Sequence, residues 1–308
     1  MRYAKTPLNP EEQVQLLIVR GLDCGYIERT HHYLSHIGYY RLSAYWLPFE
    51  LPSDDHQTRN HAFIPGTTFD SVLNLYIFDR KLRLLVMDAI ERIEVSIRTR
   101  WSGAMALCYG SHAYMQTVLF KDSKAHSKDL DKLTGELEKS SETFIVHYRN
   151  KYDEPRLPPI WVVVETMSLG TLARWLRNTK NTDVKKEVMQ GLNMPTIEVL
   201  ENTLNALTPI RNICAHHSRL WNRRLVMKMP VIKRLRDQMV PQDAANFQAH
   251  YLFNYLVTIE HLMHIINPHG TWKKRLLELL ATVSEGELRS MGFPADWQQR
   301  LPWREVQP

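Results

Sequence analysis

The sequence predicts an all-α fold, and three observations support this class. Leu, Arg, Glu and Met, which favour helices, are common among the 308 residues. Alternating runs typical of strands are few, and glycine is scarce at 12 residues. Hydrophobic residues make up 44% of the chain, so it can bury a core and is not a disordered protein.

Start signals and apolar spacing predict three helices in the first third of the chain. One begins at Pro10, where a proline followed by acids suits a first turn, and a second covers residues 26–35. After a loop over residues 51–66, a long helix capped by Thr67 or Thr68 runs from residue 69 to about 100. Its i,i+4 charge pairs are interpreted as a solvated face; they are Asp79–Arg83, Asp88–Arg92 and Glu94–Arg98.

Further helices are predicted along the rest of the chain. A polar helix covers residues 124–148. Residues 160–165 have the composition of a strand, but their context favours two short helices that meet at Gly170. Residues 196–221 form a helix or a helix pair, and residues 247–266 form another that ends at Asn267 and Pro268. One or two helices follow Gly270.

The predicted organisation has three parts: an N-terminal helical region (1–66), a helical core (67–268) and a C-terminal helical extension (269–308). Three separated cysteines without a CxxC motif argue against a disulfide scaffold or a zinc knuckle, and we expect no metal or cofactor. The polar N-terminus and the lack of an apolar run of about 20 residues predict a cytoplasmic protein with no membrane contact.

The charge of the chain is informative through its clustering. The net charge of +6 and the isoelectric point near 9.1 are only mildly suggestive of nucleic acid. However, residues 202–236 contain no Asp or Glu and eight Lys or Arg residues. A positive field of this kind suits a phosphodiester ligand.

Within this stretch, Arg211, Asn212 and His216 form a compact group. Asn212 and His216, at i,i+4, share one helical face, whereas Arg211 and His216 are about 140° apart on an ideal helix. With Thr208 as N-cap and Pro209 at the first helical position, Arg211 would lie in a first turn that favours an anion.

These residue types suit RNA cleavage, in which the 2′-OH attacks the adjacent phosphorus. Histidine titrates near neutrality and can act as acid or base, and arginine can neutralise charge on the phosphorane. Two subunits about a two-fold axis would bring two such pairs to one cleft. In the alternative interpretation, Arg211 pairs with a carboxylate on a neighbouring helix, Glu165 being one candidate, and His216 is a hydrogen-bonded core residue. Spacing and charge leave both open.

The segment from Arg211 to Asn222, Arg-Asn-Ile-Cys-Ala-His-His-Ser-Arg-Leu-Trp-Asn, resembles the signature of the Abi family (AbiD/AbiF-like abortive infection proteins) in the HEPN superfamily. Other segments resemble family boxes in the same order, with Leu169 in place of an expected aromatic residue. These segments are residues 34–42, 75–83, 90–94, 157–165 and 168–172.

The resemblance implies a HEPN-like helical bundle, a homodimer and a bacterial anti-phage or toxin role. It also implies metal-independent RNA cleavage that leaves a 2′,3′-cyclic phosphate and a 5′-OH. By matching residues, Arg211 and His216 are the catalytic pair and Asn212 orients the site. Some relatives assemble with a partner non-coding RNA. We expect RNA contacts from His217, Arg219, Arg223, Arg224 and Arg41.

Two further patterns in the sequence, a group of histidines and a group of aromatic residues, are weaker signals of a site. His31, His32 and His36 lack a further ligand at suitable spacing, so a metal site is disfavoured. The aromatic residues around Arg41 are interpreted mainly as core. The rival functions are a non-catalytic RNA-binding module, with assembly on a partner RNA as one form of it, and a protein-interaction scaffold.

Overall fold

The computed structural model describes residues 6–52, 61–243 and 247–304, and helices dominate this part of the chain. Three isolated bridges are the only extended pairings within the described residues. The predicted all-α class is confirmed. The α-helices are α1 (Pro10–Val19), α2 (Ile27–Ile37), α3 (Tyr39–Trp46), α4 (Phe69–Tyr109), α5 (Ser123–Lys139), α6 (Thr143–Lys151), α7 (Ile160–Val163), α8 (Leu169–Asn178), α9 (Thr182–Gly191), α10 (Ile197–Ala215), α11 (Phe253–Ile266), α12 (Trp272–Leu280) and α13 (Glu285–Ser290).

The chain divides into two compact units, residues 1–82 and 83–308. The division lies inside α4, whereas the boundaries expected at residues 66 and 268 stay predictions. In the first unit, the buried Tyr45 hydroxyl donates a 2.6 Å hydrogen bond to Asp79. Part of the loop predicted over residues 51–66, namely 53–60, lies outside the described residues.

Helix α4 buries charges that the sequence had suggested were solvated. Asp79 is fully buried, and Arg83 and Glu94 are only 5% exposed. Each occupies an i+3 or i+4 position of the apolar stripe of α4, so the helix turns it inward. The predicted solvated face is therefore wrong for these residues, although the Asp88–Arg92 pair is accessible to solvent.

The polar helix predicted over residues 124–148 is two helices, α5 and α6, separated at Ser140–Glu142. Arg149 of α6 donates to the carbonyl oxygens of Glu138 (2.7 Å) and Ser140 (2.8 Å). These bonds satisfy carbonyls at the end of α5 that an uninterrupted helix would have used internally.

Helices α7 and α8 replace the alternative strand over residues 160–165, and they do not meet at Gly170. A 3₁₀ turn, Val164–Thr166, follows α7, and Ser168 caps the start of α8. Gly170 lies inside α8, where a Cβ atom would be 3.0 Å from the Thr208 methyl group of α10. The glycine thus permits close approach of two helices, which positions α10.

The C-terminal helices pack within the second unit through buried indoles. Trp272 donates to the Leu85 carbonyl of α4 (2.7 Å), and Trp221 donates to that of Glu287 in α13 (3.3 Å). A 3₁₀ turn, Phe247–His250, precedes α11, which begins at Phe253 rather than at residue 247. In the described part of the chain, no helix combines the length and apolar character of a membrane span.

Candidate functional site at the end of helix α10

Helix α10 is one continuous helix that carries Arg211 near its C-terminal end. Thr196 caps its start, and the chain passes through Thr208 and Pro209 without interruption. The Thr208 hydroxyl donates to the Leu204 carbonyl (2.8 Å), so it does not cap a new helix. The predicted anion site at a helix N-terminus is therefore wrong, because Arg211 lies near the carbonyl end of the helix.

The helix ends at His216 in a Schellman motif. His217 has a φ of 55°, its N–H donates to the Cys214 carbonyl (3.1 Å), and the Ser218 N–H donates to that of Ile213 (3.0 Å). Glycine usually occupies the left-handed position that His217 takes here. The chain consequently turns directly after His216.

Arg211 is held by a buried carboxylate of α4. Its Nε lies 3.7 Å from Oε2 of Glu94, whose side chain is 6% exposed. Arg98 contacts the other oxygen of Glu94 and donates to the Met167 carbonyl (2.6 Å). Glu165, one candidate partner of Arg211, instead lies 3.4 Å from Arg98. The contact of Arg211 is therefore an ion pair with a neighbouring helix, as the alternative interpretation predicts.

A groove of about 440 Å³ lies beside the end of α10 and brings four of the candidate residues together. Asn212 and His216 line it from α10, and Arg223 and Arg224 line it from the segment after the turn. None of its lining residues is Asp or Glu. Arg211 is not among them, and its Nε faces Glu94.

The floor of the groove includes Tyr255 of α11. Its hydroxyl donates to the Met227 carbonyl (2.6 Å), and burial raises the pKa of this phenol. The hydroxyl therefore fixes the returning segment against α11 and stays protonated at neutral pH.

The other candidate residues lie outside the groove lining. His217 and Arg219 belong to the turn, where the Arg219 carbonyl accepts from Arg223 (3.4 Å). Arg41 is exposed on α3 in the first unit. Nearby, Tyr45 and Trp46 are buried, as the core interpretation expects, although Tyr40 is 92% exposed.

The histidines of α2 make local contacts. His31 lies 2.9 Å from Glu11, and the rings of His32 and His36 are 4.5 Å apart. Within the described residues, no group of three or more His, Cys, Asp or Glu could hold a metal ion.

Sequence reasoning missed three residues of this site: Glu94, Tyr255 and Phe247. The signal for Glu94 was present, because it lies between Ile93 and Ile97 on the fully buried stripe of α4. Phe247, whose ring lies 4.6 Å from the Arg224 guanidinium, and Tyr255 come from far along the chain. Spacing around the motif carries no information about them.

Comparison with known proteins identifies the family. A model of the Abi-like protein family matches residues 32–222, which is more than half of the chain and includes Arg211, Asn212 and His216. No curated protein and no solved structure matches the chain. The family name indicates a role in abortive infection, a form of defence. The chain belongs to the family of Abi-like proteins.

Proposed function

We propose that this Abi-like protein is a HEPN-type endoribonuclease of a bacterial anti-phage or toxin system. The observation that carries the proposal is the groove at the end of α10, where His216 and Asn212 lie beside Arg223 and Arg224. A histidine suited to proton transfer next to cations suited to phosphate is what RNA cleavage requires.

In the proposed reaction, His216 accepts the proton of the 2′-OH, and the freed oxygen attacks phosphorus. The bond to the 5′-oxygen breaks, and that oxygen takes up a proton from an acid. The products are a 2′,3′-cyclic phosphate and a 5′-OH. In a homodimer about a two-fold axis, the second copy of His216 supplies the acid.

Arg211 has the role of neutralising charge on the phosphorane. Its ion pair with Glu94 runs through Nε, and a guanidinium carries four further N–H donors on its terminal nitrogens. The side chain is 28% exposed. Glu94 thus orients Arg211 while leaving donors for a phosphate.

Total cellular RNA incubated in EDTA tests the proposal. The wild type is expected to yield fragments with cyclic phosphate ends, and the Arg211→Ala/His216→Ala variant is expected to yield none. Sedimentation of the wild type at the same concentration measures whether it is a dimer.

One observation favours a second candidate, a non-catalytic RNA-binding module that assembles on a partner non-coding RNA. Arg211 faces Glu94 and does not line the groove with His216. Its ion pair with Glu94 thus gives Arg211 a structural role that needs no catalysis. Salt-sensitive RNA binding by the wild type and by the Arg211→Ala/His216→Ala variant, without cleavage by either, would favour the RNA-binding module.

A further inference from the structure

Arg224 lies over an aromatic ring at the edge of the groove. Its guanidinium carbon lies 4.6 Å from the centre of the Phe247 ring, within the range of a cation–π contact. Phe247 is 52% exposed and lies 5.6 Å, ring to ring, from Tyr251. The Arg224 guanidinium is therefore supported by an aromatic ring.

Arg224 and Phe247 differ in their contact with the groove. Arg224 lines it, together with His216, whereas Phe247 is not among its lining residues. Phe247 thus supports Arg224 from outside the groove. The supported guanidinium forms part of the groove wall.

A planar guanidinium of this kind is a surface on which a nucleobase stacks. Val226 and Met227 extend the wall with apolar atoms, which suit the faces of a base rather than a phosphate. Arg223, also in the lining, offers a charge for the adjacent phosphate. In an A-form duplex the base faces are covered by neighbouring pairs, so only an unpaired nucleotide can stack here.

We propose that Arg224, supported by Phe247, is the base-stacking platform of this groove, and that the site selects unpaired nucleotides. The inference rests on the proposed function for its ligand, RNA, and goes beyond it in assigning the contact that recognises a base.

Binding of short RNA to variants in a His216→Ala background tests the platform without cleavage. The probes are a single-stranded RNA and the same strand annealed to its complement. Arg224→Lys keeps the charge but removes the plane, so its affinity for the single strand is expected to fall roughly ten-fold, as for one lost base stack. The salt dependence should not change, since the charge is retained.

Arg236→Lys is the matched control, because Arg236 is an exposed arginine of the same basic stretch outside the groove lining. Its affinity for both probes should stay within about two-fold. Phe247→Leu should weaken single-strand binding, as Arg224→Lys does. Phe247→Tyr should bind the single strand as tightly as the parent protein, since a tyrosine ring also supports a cation.

Equal affinity of the Arg224→Lys and Arg236→Lys variants for the single strand would overturn the inference. So would a loss on Arg224→Lys that is equally large for the duplex. Neither result depends on catalysis. If the wild type does not cleave RNA but Arg224→Lys still weakens single-strand binding, the ribonuclease proposal fails and the base-stacking inference holds. If the wild type cleaves RNA but Arg224→Lys binds the single strand as tightly as the control, the ribonuclease proposal holds and the base-stacking inference fails.

Discussion

At the scale of single residues, the end of α10 is organised by a buried charge. Glu94 lies between the guanidinium groups of Arg98 and Arg211. Charges so far from water persist only where partners compensate for desolvation. The spacing of Glu94 and Arg98 indicated an ion pair, but only the position of Glu94 on the apolar stripe indicated that it is buried.

Replacing Glu94 with Gln is expected to destabilise the protein by about 2 kcal/mol, because two guanidinium groups lose their shared charge-assisted contacts. RNA cleavage should fall as well, since Arg211 loses the group that orients it. Denaturant unfolding and cleavage of one RNA measure the two effects. Glu91→Gln, on the exposed face of the same helix, should change neither, and an equal effect of both substitutions would contradict the role given to Glu94.

His217 has a conformational role that is separable from its chemistry. Its left-handed backbone costs an L residue roughly 1–2 kcal/mol, and Asn tolerates that region much better than a β-branched residue does. We expect His217→Asn to keep both stability and cleavage, and His217→Val to lower the free energy of unfolding by about 1 kcal/mol or more. Loss of cleavage in a fully stable His217→Asn variant would show that the imidazole itself is required.

At the scale of elements, periodicity predicted most helices, and their ends depended on contacts that periodicity does not encode. The starts of α1 and α4 follow from local signals. Asn9 forms a capping box with Glu12, and Pro10 begins the first turn of α1; at α4 the Thr68 hydroxyl accepts from the Ser71 N–H (3.1 Å). The division between α5 and α6 instead depends on Arg149, which reaches back to carbonyls of the preceding helix. A proline suits a first turn, so the sequence predicts a helix start at Pro209, yet α10 accommodates this residue within the helix.

The approach of α8 to α10 is testable with a double-mutant cycle. In the wild type, Gly170→Ala brings Cβ to 3.0 Å from the Thr208 Cγ2 methyl group, and overpacking of about 1–3 kcal/mol opposes the gain in helix propensity of up to about 1 kcal/mol. In a Thr208→Ser background the methyl group is gone, so the same change should be stabilising. Additive effects in denaturant unfolding would exclude a close contact between the helices.

Helix α11 contains a buried acid that should make stability depend on pH. Burial raises the pKa of Glu260 from 4.5 to about 7, although Lys273 opposes the shift. Between these values the folded protein binds more protons than the unfolded chain, so the contribution of Glu260 to stability is lost as pH rises from about 4.5 to 7. Burial also lowers the pKa of His261 to about 4, which costs stability as pH falls from 6.5 and acts in the opposite direction.

A comparison of Glu260→Gln with the wild type isolates the acid from His261. The two proteins should have similar stability near pH 4, where Glu260 is protonated in both the folded and the unfolded state. Near pH 8 the variant should be more stable by on the order of 3 kcal/mol, since a shift of one pKa unit corresponds to about 1.4 kcal/mol. A constant difference in unfolding free energy from pH 4 to pH 8 would mean that Glu260 titrates normally.

At the scale of the whole molecule, the sequence predicted the fold class and the segment that carries the motif, but not the groove. Residues of the basic stretch disperse on folding: Lys228 donates to carbonyls of Gln242 and Asp243, and Arg234 lies 2.6 Å from His261. Arg223 and Arg224 reach the groove because the turn at His217 brings them back beside α10. Long-range contacts decide which charges converge, and a single sequence does not encode them locally.

The most direct test is His216→Ala, with RNA binding and RNA cleavage measured on the same preparation. His216 is exposed at the end of α10, so its replacement should preserve the fold and the affinity for RNA. We predict that cleavage is lost, together with any growth toxicity on expression. Cleavage by the folded variant at the wild-type rate, with the same cyclic phosphate ends, would contradict the assignment of this groove as a ribonuclease site.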